Sequence, residues 1–204
     1  PAEGSKIIPC HIGNGASVAA VKDGKSIDTS MGMTPLAGLM MGTRSGDVDP
    51  GALPYIMEKE GLDMQGLMDM LNKKSGVTAI SGVSSDMREV DAAAESGNKR
   101  AQLSNTMYFY RIKKYIGAYA AAMGGVDAIV FAGGVGENQA GCRADVLEGL
   151  EFLGVKLDQE VNAKMRGEEA VLSTPDSRVK VLLIPTDEEM MIASDTYDIV
   201  KEMK

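Results

Sequence analysis

The chain has 204 residues, 44% hydrophobic and 25% charged, an ordinary globular balance that suits one large domain or one lobe of a two-lobed protein. Its formal net charge of -8 disfavours nonspecific binding to nucleic acid or to an acidic membrane. Two cysteines, Cys10 and Cys142, and a single histidine, His11, lack metal-ligand spacing, which disfavours a structural zinc site and a disulfide framework. A reducing cytoplasm is the simplest compartment. No apolar run reaches transmembrane length. The opening Pro1-Ala2-Glu3-Gly4-Ser5-Lys6 is not a signal peptide, and without an initiator Met it suggests a fragment of a longer chain.

In chain order, 6–11 is a short apolar strand, followed by Gly13-Asn14-Gly15. A second strand covers 17–22. Asp23-Gly24 is a strong hairpin signal, and 26–29 returns as a third strand. The stretch 30–50 is loop-like and too long for a plain connector. Asp63 caps a predicted helix carrying Leu67, Met68, Met70 and Leu71, ending near Ser75-Gly76. Ser85 or Asp86 caps another that runs to Ser96-Gly97. A long helix is expected over 99–123. Leu103, Met107 and Tyr110 form one stretch of its apolar stripe, and Ile112, Ile116, Tyr119 and Met123 the next. Gly124-Gly125 stops it. A buried strand over 127–132 leads into a glycine-rich loop, Gly133-Gly134-Val135-Gly136-Glu137-Asn138, and then a helix over 139–150. A helix at 159–166, strands at 170–173 and 179–184, and a last helix over 188–202 complete the pattern. Thr186 or Asp187 caps that last helix. A meander followed by alternating helices and strands indicates an α/β lobe with a mixed sheet.

Several segments carry candidate chemistry. In Met41-Gly42-Thr43-Arg44-Ser45-Gly46-Asp47-Val48-Asp49-Pro50, one arginine sits among glycines, hydroxyls and carboxylates. Its guanidinium offers a rigid fork of donors suited to phosphate or carboxylate. An exposed turn in which Arg44 pairs with Asp47 or Asp49 fits the same residues. In His11-Ile12-Gly13-Asn14-Gly15, glycines let backbone N–H groups approach an anion, although Asn14-Gly15 is equally a hairpin dipeptide. His11 suits a phosphate contact or a structural role at a strand end. Asp86 and Arg88 could bracket a ribose and base, or cap a helix and face water. The strand–glycine–helix unit at Gly134–Asn138 favours negative charge or simply makes a tight turn. Gln139 stands where a dinucleotide fingerprint needs a third glycine, and no Walker A loop occurs, so a Rossmann dehydrogenase is disfavoured. Thr186-Asp187-Glu188-Glu189 could hold Mg²⁺ through water or only favour a helix start.

In order, CHIGNGAS, DTSMGMTPLAGLMMGTRSGDVDP, SGVSSDMRE, FAGGVGEN and IPTDEE resemble the acetate kinase family, over essentially the whole chain. The resemblance implies a ribonuclease-H-like lobe of the actin, hexokinase and sugar-kinase superfamily, with a mixed sheet and flanking helices. It also implies reversible transfer of the ATP γ-phosphoryl group to acetate with Mg²⁺ or Mn²⁺, giving acetyl phosphate and ADP. Carried over by position, His11, Ile12, Gly13, Asn14 and Gly15 become phosphate-side ATP contacts, and Arg44 the stabiliser of charge on the transferring group. Asp86, Met87 and Arg88 would line the nucleoside pocket. Gly134, Val135, Gly136, Glu137 and Asn138 would wrap the adenosine and α-phosphate side. Glu188 would be the Mg²⁺-associated carboxylate, with Glu189 as the fallback.

The whole of 1–204 matches only the family's C-terminal lobe. The N-terminal lobe, with its metal-side Asn, acetate Arg, catalytic Asp and second His, has no counterpart, so the chain is expected to bind nucleotide yet be inactive alone. A cytoplasmic homodimer with no nucleic-acid or membrane partner is implied. Alternatives are a propionate or butyrate kinase and a non-catalytic nucleotide-binding or dimerisation module. The stretch Gln139-Ala140-Gly141-Cys142-Arg143 departs from the family's more acidic, proline-containing pattern.

Overall fold

The computed structural model describes residues 2–203. A meander opens the fold: β1 (Lys6–Ile12), β2 (Ala16–Lys22) and β3 (Lys25–Thr29) are successively antiparallel. The β2–β3 turn is the expected Asp23-Gly24, both with positive φ. Four helices follow the long loop: α1 (Leu53–Glu60), α2 (Met64–Lys73), α3 (Gly76–Ser81) and α4 (Met87–Glu95). The 25-residue α5 (Lys99–Met123) leads into β4 (Ala128–Ala132), α6 (Gly133–Asn138) and α7 (Ala140–Leu147). Then come α8 (Gln159–Lys164), β5 (Ala170–Val171), β6 (Lys180–Leu183) and α9 (Glu188–Glu202).

The sheet order is β3-β2-β1-β4-β6-β5. Strands β1, β4 and β6 are mutually parallel, with His11 opposite Ala132 and Phe131 opposite Leu183. Their carboxyl ends therefore stand side by side, and in open α/β sheets the crevice beyond such ends is where ligands bind. The mixed α/β sheet with flanking helices is the expected class.

Alternation builds the core. Ile8, Cys10 and Ile12 of β1, Val18 and Ala20 of β2, Ile129 and Phe131 of β4, and Val181 and Leu183 of β6 are fully buried. From α5, Ile112, Ile116, Tyr119 and Met123 join that core, as expected. The stripe expected from Leu103, Met107 and Tyr110 is corrected: these side chains are exposed. Helix geometry puts Ala101, Ser104 and Tyr108 on the line of Ile112, and this face, two small residues and one buried tyrosine, packs against α3 and α4. Apolar identity marked the wrong side, because Ala101 and Ser104 are too weakly apolar to stand out in a periodic pattern.

The expected glycine-rich loop after β4 is itself helical. Gly133 takes a positive φ of 75°, and α6 starts at once with the Gly133 N–H donating to the Glu137 carboxylate at 2.7 Å. The helices α1 and α3 were not anticipated. The strand expected at 170–173 shortens to a pair of residues, with Ser173 making only an isolated bridge to Leu157.

Candidate functional site

The arginine loop is held from three sides. The Gly42 N–H donates to the Asn14 carbonyl (3.0 Å), which joins the loop to the β1–β2 turn. Val77 and Thr78 N–H groups donate to the Met41 and Gly42 carbonyls (2.9 and 3.0 Å), which joins it to α3. On the far side, Arg111 donates to the Asp47 carbonyl (2.7 Å) and the Tyr115 hydroxyl to the Asp47 carboxylate (2.6 Å), which joins it to α5. Burial, then that bond, pushes the Tyr115 hydroxyl up to about 12, so it stays protonated and donating. Gly42 suits this close approach, since a Cβ there would meet Asn14 Oδ1 at 1.8 Å and the Asn14 side chain would have to move.

The pairing of Arg44 with Asp47 or Asp49 does not occur. Asp47 also accepts from the Gly38 N–H (2.8 Å), and Asp49 caps the turn at 50–52 through the Gly51 N–H (2.9 Å). Among the described residues Arg44 joins no ion pair. Its Nη1 sits 3.5 Å from Met41 Sδ and 3.5 Å from where a Gly15 Cβ would be. A half-buried guanidinium without a carboxylate is thus poised over the glycine turn.

Beside it opens a cavity of about 530 Å³. Gly13, Asn14 and Gly42 line one wall, Ser85, Asp86, Met87 and Arg88 another, and Gly134, Val135, Asn138 and Gln139 a third. Asp86 caps α4 through the Arg88 N–H (2.9 Å) and grips the Arg88 side chain (Nη2 to Oδ2, 2.5 Å). The Arg88 guanidinium, together with that N–H bond, holds the Asp86 carboxyl down at about 2. Arg88 therefore faces the cavity as half of an exposed ion pair rather than as a free cation.

A second cavity, of about 510 Å³, shares Gly134 with the first. His11, Gly133, Glu137 and Thr186 line it together with the exposed Asp187, Glu188 and Glu189. Asp187 is spent as the N-cap of α9, accepting from the Met190 N–H at 2.9 Å. Glu188 and Glu189 are exposed. Among the described residues no three His, Cys, Asp or Glu side chains are grouped to cage a metal. Two free carboxylates beside a glycine-lined hollow fit Mg²⁺, which commonly takes one or two carboxylates and fills its remaining positions with waters and substrate phosphates.

Of the residues singled out in the sequence, Gly13, Asn14, Asp86, Met87, Arg88, Gly134, Val135 and Asn138 line the first cavity, and His11, Gly134, Glu137 and Glu188 the second. Ile12, Gly136, Gly15 and Arg44 line neither. Ile12 is fully buried, and a Cβ on buried Gly136 would stand 3.6 Å from the Cβ atoms of Ile12 and Phe131, so both belong to the packing beneath the site. Gly15 lies under Arg44. Sequence reasoning missed Tyr108, whose hydroxyl donates to the Gly13 carbonyl (3.2 Å), and Arg143. Arg143 is fully buried and donates to the Gly136, Glu137, Asn162 and Met165 carbonyls and to Asn162 Oδ1, at 2.7–3.0 Å. It fastens the end of α6 to α8. Burial draws its pKa down, and no carboxylate among the described residues pairs with it.

The fold and site define a glycine-lined, two-cavity lobe at the ends of parallel strands. A family model described as the acetokinase family matches residues 1–194. The acetate kinase of Bacteroides thetaiotaomicron is 69% identical over 199 residues, which is 98% of this chain and 50% of that protein. A crystal structure of Porphyromonas gingivalis acetate kinase matches with TM-score 0.93 at 61% identity, covering 97% of this chain and 50% of that one. A crystal structure of a propionate kinase from Francisella tularensis matches with TM-score 0.86 at 42% identity, covering 93% and 48%. The chain belongs to the acetokinase family. It spans about half the length of the relatives it matches.

Proposed function

We propose that this chain is the nucleotide-binding lobe of an enzyme that reversibly transfers the ATP γ-phosphoryl group to acetate, giving acetyl phosphate and ADP. The observation that carries the reading is an unpaired Arg44 set over the Asn14 turn, beside two cavities that meet at Gly134. Family membership supports the same chemistry.

In this reading the first cavity takes the nucleoside, between the Asp86–Arg88 pair and Val135 and Asn138. Gly13, Asn14, Gly15 and Gly134 let phosphate oxygens approach backbone N–H groups closely. His11 stands beside the phosphates, and Arg44 donates to the oxygens of the group in transfer. Glu188, with Glu189 beside it, would hold Mg²⁺ or Mn²⁺, which when bound neutralises charge across the phosphates. Phosphoryl transfer asks the protein mainly for positioning and charge stabilisation, and these residues supply both.

The acetate site and the remaining reacting groups belong to the half that the longer relatives carry. The isolated chain is accordingly proposed to bind nucleotide without turning over. Propionate is the second reading, favoured by the likeness to a propionate kinase. Relative kcat/KM for acetate, propionate and butyrate in the full-length enzyme decides between them; a preference of tenfold or more for propionate would overturn the acetate assignment. A cytoplasmic homodimer is also proposed. Light scattering on the full-length protein tests it, and a monomer at micromolar concentration would contradict it.

A further inference from the structure

We infer that Glu137 is a positioning residue, which holds the start of α9, and with it Glu188, against the ends of β1 and β4 by accepting two backbone N–H groups at one carboxylate oxygen. Its Oε1 lies 2.7 Å from the Gly133 N and 2.9 Å from the Thr186 N. These donors belong to different strand ends: Gly133 follows β4, and Thr186 follows β6. The inference rests on the metal-side reading of the second cavity given above.

The segment between β6 and α9 has few other anchors. Its last sheet bond runs from the Ile184 N–H to the Phe131 carbonyl (3.0 Å). Pro185 has no N–H to give. The helix α9 buries no side chain among the described residues, so its own packing does not fix where it begins. Beyond Ile184, Thr186 is what ties this junction to the other strand ends. Its N–H goes to Glu137, and its Oγ1 lies 3.4 Å from His11 Nδ1. Glu137 is itself held by the backbone, since Arg143 donates to its carbonyl at 3.0 Å. The chain Arg143–Glu137–Thr186 thus runs from the buried core to the residue two before Glu188. Glu137 oxygen Oε1 is already committed to two amides, which suits a brace rather than a nucleotide contact.

Two substitutions separate the brace from a direct charge role. In Glu137→Gln the amide oxygen can accept the same two N–H groups, whereas Glu137→Ala accepts neither. Hydrogen exchange at the Gly133 and Thr186 amides of the 204-residue chain reads the tie, with the core amide of Ile129 as the folding control. Glu137→Ala is expected to speed exchange at both by about tenfold or more with Ile129 still protected, and Glu137→Gln to restore protection. In the full-length enzyme, Glu137→Ala should raise the Mg²⁺ concentration for half-activation by about 10–100-fold and lower kcat. The KM for ATP should stay near that of the parent, and Glu137→Gln should recover most of the loss. A protected Thr186 amide in Glu137→Ala overturns the proposal. So does Glu137→Gln matching Glu137→Ala in its Mg²⁺ requirement, which would mark the carboxylate charge as the working feature. If the full-length parent fails to phosphorylate acetate, the functional reading fails, and the exchange experiment still decides the brace.

Discussion

Arg44 and Arg143 show how differently one residue type can be used. Arg44 is half-buried and, among the described residues, has only the Met41 sulfur as a side-chain partner, whereas every donor nitrogen of Arg143 is committed to oxygens within the protein. In the full-length enzyme, Arg44→Ala is expected to cut kcat by about 10³-fold or more with nucleotide affinity little changed. Arg44→Lys should not restore it, because an ammonium lacks the planar fork. Steady-state kinetics with parallel ADP titration checks this, and near-normal turnover would refute the role. Arg143→Ala should instead act on stability, because several buried oxygens lose their donors at once. A loss of about 3–5 kcal/mol in urea unfolding is expected, and a loss under 1 kcal/mol would contradict it. The Asp86–Arg88 pair gives a pH signature. The folded-state pKa of Asp86, about 2, lies below the ~3.9 of an unfolded Asp. Its contribution is therefore complete above about pH 4 and is lost as pH falls toward 2. Carboxyl NMR should find Asp86 still ionised at pH 3.

At the scale of elements, α9 and α5 make a useful contrast. Helix α5 is held by its cap at Asn98, its stop at left-handed Gly124 and a buried face along its whole length. Helix α9 has a cap but, among the described residues, no buried side chain: Met191, Ile192, Tyr197 and Ile199 are each at least 60% exposed. Deleting 188–203 should therefore shift the unfolding free energy of the chain by less than about 1 kcal/mol. A larger loss would mean that α9 packs on the lobe. The contrast also explains what was legible. The bounds of α5 and α9 were read correctly from local signals: a cap, a run of periodic residues, a glycine. The first half of the α5 stripe was read on the wrong face, because the side that packs carries Ala101, Ser104 and Tyr108 rather than a row of large aliphatic residues. Helix α6 was hidden because four of the residues from Gly133 to Asn138 look like loop or turn formers, three of them glycines, while Glu137 bonds back to the Gly133 N–H within the segment and Arg143 holds the Gly136 carbonyl from beyond it. In the site, glycine positions such as Gly13, Gly42 and Gly134 were visible as loops open to a ligand. The support from Tyr108 and the Glu137 brace were not, since each joins residues far apart in sequence.

As a whole molecule, the chain is a sheet that buries one continuous core and leaves its parallel strand ends open. Among the described residues no helix is long and apolar enough to cross a membrane. Cys10 and Cys142 lie in that core, and burial pushes both thiols well up. Native protein at pH 8 should therefore resist thiol reagents and label fully only in denaturant. The central claim is that this lobe carries the nucleotide. Its most direct test is calorimetric titration of the 204-residue chain with MgADP beside Gly134→Val. A Cβ at Gly134 meets nothing within 4 Å, and that glycine lies where the two cavities join, so the substitution fills the site without straining the core. Saturable binding by the parent chain, lost in Gly134→Val, is the predicted result. Absence of binding by the parent, or equal binding by both, would contradict it.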